Sequence, residues 1–308
     1  MTNPQMHSRL LLAAGAVSAL VSWSTPPRAA ETDSQDTERR GRIERVIHGT
    51  AVTGHNDVVG RPFYDWGPPF GTFGFATLGA YNPQGPEPIR LQPDTPLSTL
   101  VATMIDPNLL ASTGVDPTAV DPSWVNVPLR DVPVQYSFGE TEQFPGIFAA
   151  DDVAVKAQAV PVNPITLGQW MRAGGTATIK CKRNNEASVR LQMHDLIPNR
   201  MYAVWSTLGT SRSGTGPVFP SIPVGGVPNI FVTDRQGDAV YERVMQFCPL
   251  RPETTDRPML VINVQLHSNH QNYGGINGPP LASVPGGYWI GSVIHNHVQF
   301  PVNVTLLN

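Results

Sequence analysis

The chain has 308 residues, 21 of them basic and 24 acidic, for a formal net charge of −3. That length allows one large domain or two small ones with a proper core, and a slightly acidic chain without a basic stripe is not an electrostatically driven nucleic-acid binder. Its 31 prolines and 28 glycines disfavour long helices, while 40% hydrophobic residues argue against disorder, so the composition reads as all-β with short strands and many turns.

Residues 1–30 read as a secretory signal peptide. Arg9 precedes an apolar core from Leu10 to Val21, and small residues follow at Ser22, Ser24, Ala29 and Ala30. The protein is therefore expected to be secreted or periplasmic. No other apolar run is long enough to span a bilayer, so no transmembrane segment is expected in the mature chain. Residues 31–45, ETDSQDTERRGRIER, are highly charged and read as a disordered, solvated tether.

Residues 46–165 form a turn-rich β region that packs on or completes the sandwich described next. Strand character appears at Phe70–Leu78, Val132–Phe138 and Ile147–Val155, and strand or short-helix character at Leu97–Leu110. Three Asp-Pro pairs, at Asp106, Asp116 and Asp121, start turns.

Residues 166–308 carry clean alternation and read as a C-terminal β-sandwich. Ala177, Ile179 and Cys181 share one strand face, and Val189, Leu191 and Met193 another. Leu260, Ile262, Val264 and Leu266 form a third, and Val298, Phe300, Val302, Val304 and Leu306 the last. Such period-2 patterning predicts antiparallel sheets with one face in the core and one in water. Ile230–Val232 and Val240–Val244 flank Asp234-Arg235-Gln236-Gly237-Asp238, which predicts a hairpin. The long Gly/Pro-rich stretches 209–226 and 268–292 are expected as loops.

An even cysteine count in an exported chain predicts a disulfide between Cys181 and Cys248. It would close a loop of roughly 67 residues, stabilising the fold by about 4 kcal/mol in the chain-entropy picture.

Leu196-Ile197-Pro198-Asn199-Arg200-Met201-Tyr202 has the form L-x-P-x-x-x-Y. It resembles the tyrosine corner of fibronectin type III and immunoglobulin-like sandwiches, a resemblance that covers about ten residues. It implies a sandwich architecture of immunoglobulin-like, Greek-key type. Leu196, Pro198 and Tyr202 would be its structural residues, with the phenol hydroxyl bonded back to the backbone. Thr166–Trp170, Leu196–Asn199 and Thr233-Asp234 also resemble segments of uncharacterised exported bacterial proteins, which implies no activity.

Half of the eight histidines fall between residues 267 and 297: His267, His270, His295 and His297. Period 2 predicts His267 on the face opposite Leu266, and His295 and His297 together on the outer face of the last strand. If the two strands pair, His267 approaches His295, and three or four imidazoles with an open position suit copper or zinc. No Asp or Glu follows Asp256 to orient the rings. His194 reads as a solvated strand residue, while His48 and His55 lie in a turn-rich stretch and could complete a site across the fold.

Other chemistry has less behind it. Asp234, Gly237 and Asp238 fit a turn better than a calcium loop. Asp151, Asp152, Glu140 and Glu142 fit an acidic loop better than a glycosidase pair. There is no G-x-S-x-G and no P-loop. The expectation is an exported, non-catalytic β-sandwich protein that binds a small-molecule ligand or protein partner through its long loops. The alternative is a histidine-coordinated copper or zinc protein, acting as a carrier or an oxidoreductase.

Overall fold

A computed structural model describes residues 35–39, 42–55, 76–105, 125–131, 164–209, 221–226, 229–254, 258–267 and 294–304. Its strands are β1 (Gln35–Arg39), β2 (Arg42–Ala51), β3 (Ala76–Ala80), β4 (Ile89–Arg90), β5 (Val101–Ile105), β6 (Gly174–Cys181), β7 (Ala187–His194), β8 (Met201–Leu208), β9 (Ser221–Pro223), β10 (Ile230–Val232), β11 (Ala239–Met245), β12 (Met259–His267) and β13 (Ile294–Pro301). One six-residue helix, α1 (Leu167–Arg172), precedes β6. Thr166 caps it, its hydroxyl accepting from the Gln169 N–H.

The fold is all-β and almost wholly antiparallel. The main sheet runs β10-β8-β12-β13-β2-β6-β7-β11. It curls so that its two end strands, β10 and β11, are consecutive in sequence and the Phe231 and Tyr241 rings stand 6.1 Å apart. The inward faces are those the alternation predicts. Ile47, Ala177, Ile179, Val189, Leu191 and Tyr241 come from one half, and Tyr202, Val204, Ile262, Val264, Val298 and Phe300 from the other, all in one core cluster. Each large apolar side chain buried there contributes roughly 1.5–3 kcal/mol.

Two expectations are corrected along the chain. Residues 31–45 are not simply a tether, because β1 and the start of β2 lie there and pair, Gln35 opposite Val46. The charges did not prevent pairing, because alternate residues of β2 face solvent and Glu44 meets Lys180 at 3.0 Å while Ile43 packs on the core. Ile230–Val232 and Val240–Val244 do not pair as a hairpin. β10 pairs with β8 and β11 with β7, so residues 233–238 cross between the halves of the sandwich. Local turn chemistry is the same for either path, and the crossover is held by the register of β10 on β8 and of β11 on β7.

Region 46–165 shares the main sheet, since β2 pairs with β6 over Ile43–Thr50 and with β13 at Thr50 and Ala51. Its other described strands form a small sheet in which β3 pairs with β4 and β5. That sheet joins β13 through one parallel bridge, Ala76 to His295. The predicted strands at 132–138 and 147–155 lie outside the described residues, as do residues 1–30.

The two ends of the sandwich are distinct. Cys181 and Cys248 form the predicted disulfide with Cα atoms 5.3 Å apart. The Asn303 amide donates to the carbonyls of Pro249 and Met259 at the same end. At the opposite end lies the Leu196–Tyr202 corner. β8 and β12 are antiparallel, with Leu208 opposite Met259 and Leu266 opposite Tyr202. The connection after β8 therefore leaves from the disulfide end and the one after β12 from the corner end, roughly 25 Å apart for eight-residue strands.

Candidate functional site at the corner end

The corner has the bond its motif implies. The Ile197 N–H donates to the Tyr202 hydroxyl at 3.0 Å, and both residues are buried. The hydroxyl also lies 3.0 Å from His297 Nδ1, and His297 Nε2 lies 3.2 Å from the Trp170 carbonyl. A carbonyl only accepts, so Nε2 carries the proton; Nδ1 then accepts from the Tyr202 hydroxyl. The imidazole is stacked on the Trp170 ring, centroids 3.4 Å apart, and is 0% exposed. The Trp170 indole N–H in turn donates to the Val52 carbonyl at 2.7 Å, and Val52 N–H to the His297 carbonyl at 2.8 Å.

The crossover 233–238 locks onto this corner. The Thr233 hydroxyl donates to the Ile197 carbonyl at 2.7 Å and accepts from the Arg200 N–H at 2.9 Å. Asn199 N–H donates to the Asp234 carbonyl and Leu196 N–H to the Gly237 carbonyl. Gly237 has φ +88°, and a Cβ there would collide with the Leu196 carbonyl. The three segments singled out in the sequence, Thr166–Trp170, Leu196–Asn199 and Thr233-Asp234, thus meet at one place. Trp170 and His297 had no signal linking them, since they are 127 positions apart.

Asp234 is a turn residue, as expected. One carboxylate oxygen accepts from the N–H groups of Gln236 and Asp238, at 2.8 and 2.9 Å. The Asp238 N–H is the main reason its carboxyl sits below the usual aspartate range; desolvation opposes the shift, and Gln236 and Gly237 add to it.

Of the four predicted metal ligands, His297 is the one whose side chain is described, and its ring is engaged by Tyr202 and Trp170. β13 has a one-residue bulge against β12, so that Val264 opposes Val298 but Gln265 opposes Asn296. Without the bulge Gln265 would face His297, and His267 would face His295. With it, Leu266 faces His295 and His267 faces Ile294. His297 is turned into the core rather than onto the outer face, a slip that alternation alone cannot foresee. Its Nδ1 lone pair is taken by Tyr202 and its Nε2 is protonated, which leaves no lone pair for a metal. His267 and His295 are described as strand positions only, and His270 lies outside the described residues.

The remaining candidates are dispersed. His194 faces solvent, its side chain 58% exposed and 3.0 Å from the Asp195 carboxylate. His48 is exposed, whereas His55 is buried with Nε2 3.2 Å from the Leu78 carbonyl. Residues 140–152 lie outside the described residues. Among the described residues no group of three His, Cys, Asp or Glu side chains could hold a metal ion. No described helix is long and apolar enough to cross a membrane.

The outward face of β8, β12 and β13 is polar but not wet. Gln265 donates to Asn296 at 2.8 Å, Gln299 to Asn263 at 2.9 Å, and Asn263 to Thr207 at 2.8 Å. All five residues are at most 8% exposed. The side-chain bonds offset the cost of burying these amides and fix the register of three strands. The chain matches no known protein family and no curated protein.

Proposed function

We propose that this is an exported, non-catalytic β-sandwich protein that binds a ligand or partner through the connection 268–293. The observation that carries this reading is the bracing of the corner end. Tyr202, His297 and Trp170 tie β8, β13 and α1 together beneath the point where that connection leaves β12 and enters β13. Buried, hydrogen-bonded side chains of this kind hold a scaffold rigid under a variable loop, where binding residues concentrate. Tyr273, Tyr288 and Trp289 lie in that connection and are suited to contact. The long connection after β8 leaves from the other end, so one small ligand would not touch both.

The test is a thermal-shift and calorimetric screen of saccharide and peptide libraries on the mature chain. Two variants accompany it, with residues 270–290 or 211–219 replaced by short Gly-Ser linkers. A ligand that stabilises the natural chain and the 211–219 variant, but not the 270–290 variant, supports the proposal. A ligand lost only with 211–219 overturns it. Export is tested by N-terminal sequencing of protein recovered outside the cytoplasm; a retained Met1 refutes the signal peptide.

The copper or zinc reading keeps one favourable observation, the adjacency of His267 and His295 along paired strands. A centre would use these two and His270, without His297. Elemental analysis after copper or zinc loading decides it: stoichiometric metal must be lost in His267→Ala/His295→Ala.

A further inference from the structure

The two halves of the main sheet, β11-β7-β6-β2 and β10-β8-β12-β13, are joined strand to strand at one short seam. It consists of two register pairs, Val298 with Ala51 and Gln299 with Thr50. Every other neighbour pair along that sheet has more: eight between β2 and β6, eight between β6 and β7, seven between β7 and β11, seven between β12 and β13, seven between β8 and β12 and three between β8 and β10.

Among the described residues the seam is also the most distant pairing in sequence. Arg45 donates to the Val302 carbonyl across it at 2.9 Å, 257 positions away. By contrast, β6 and β7 are linked by a tight turn in which Lys182 N–H bonds the Glu186 carbonyl. Loop closure must be completed before a non-local pair returns any free energy, so local pairs form first. The Phe300 ring of β13 packs directly on Gly49 of β2, where a Cβ would clash with it. That contact stabilises only after both strands are in place.

We infer that the β2–β13 seam is the closing step of folding, formed after β6-β7-β11 and β8-β12 have paired. β2, near the start of the described chain, and β13, nearest its end, must both be present before the sandwich shuts. If the protein is exported as proposed above, closure waits until the last strand has crossed the membrane. The ordering itself stands on topology and not on that reading.

Urea-dependent refolding and unfolding rates of the disulfide-intact chain test it. Ala51→Gly and Phe300→Leu at the seam are expected to speed unfolding at least fivefold and leave refolding within about twofold. Val189→Ala, in the β6–β7 pair, is expected to slow refolding at least threefold. Seam variants that slow refolding as much as Val189→Ala overturn the inference. Pulsed hydrogen exchange during refolding of the unsubstituted chain needs no variant. Amides of β6 and β7 must be protected before those of Thr50, Val52 and Gln299, and simultaneous or reversed protection also overturns it. Neither measurement depends on export, so a retained signal sequence would leave the result standing.

Discussion

Tyr202→Phe isolates the polar part of the corner. The ring keeps its place against Phe231, whose centroid is 5.6 Å away, so little apolar burial changes. What goes is one hydroxyl that accepts from the Ile197 N–H and donates to His297 Nδ1. Both partners are buried and would be left short of a bond, at about 1–3 kcal/mol each, so the loss should be about 2–4 kcal/mol after relaxation. At roughly 2 °C per kcal/mol for a domain of this size, the midpoint of thermal unfolding should fall by about 4–8 °C. Tyr241→Phe is the internal standard, since its hydroxyl only donates to the Val224 carbonyl at 2.6 Å and its loss strands one acceptor. Urea unfolding followed by circular dichroism should give an unchanged m-value and rank Tyr202→Phe as the more damaging. A cost below about 0.5 kcal/mol, or a reversed ranking, would refute the claim that the hydroxyl holds the corner.

Gly237→Ala should cost more than about 2 kcal/mol, because it combines a positive φ with a collision against the Leu196 carbonyl; chemical denaturation measures it. Cys181→Ala/Cys248→Ala should lower stability by about 4 kcal/mol for a 67-residue loop, read from urea midpoints against the oxidised parent. Asp234 titrates below its unfolded value, so its contribution is complete above the ordinary carboxylate range and lost as pH falls through the folded value. Asp234→Asn should flatten the acid limb of the stability profile. Tyr241 titrates above its ordinary value, chiefly through burial and against the opposing Arg243 charge. Its contribution is therefore complete below about pH 10 and lost as pH rises further, and Tyr241→Phe should remove that alkaline loss.

Much of the fold was legible because alternation reports which side chains share a sheet face. β6, β7, β12 and the outer part of β13 lie where Ile179, Leu191, Val264 and Phe300 put them. The disulfide was legible from an even cysteine count, and the corner from L-x-P-x-x-x-Y. Three things were not. A bulge leaves no mark in local composition, so the phase of His297 was misread. Strand partners depend on tertiary packing, so a crossover looked like a hairpin. Period 2 separates two faces but does not say which one is wet, and the amide face of Asn263, Gln265 and Gln299 proved to be buried.

The contact between Arg45 and the Val302 carbonyl has a practical corollary. The start of β2 and the end of β13 lie side by side at the disulfide end, close enough for a short peptide to join them. A circular permutant linked there, with new termini opened between residues 268 and 293, would turn the most remote pairing among the described residues into a neighbouring one. It would keep all eight strands of the main sheet, giving up β1, and is expected to reach the native state faster than the natural order of the chain allows.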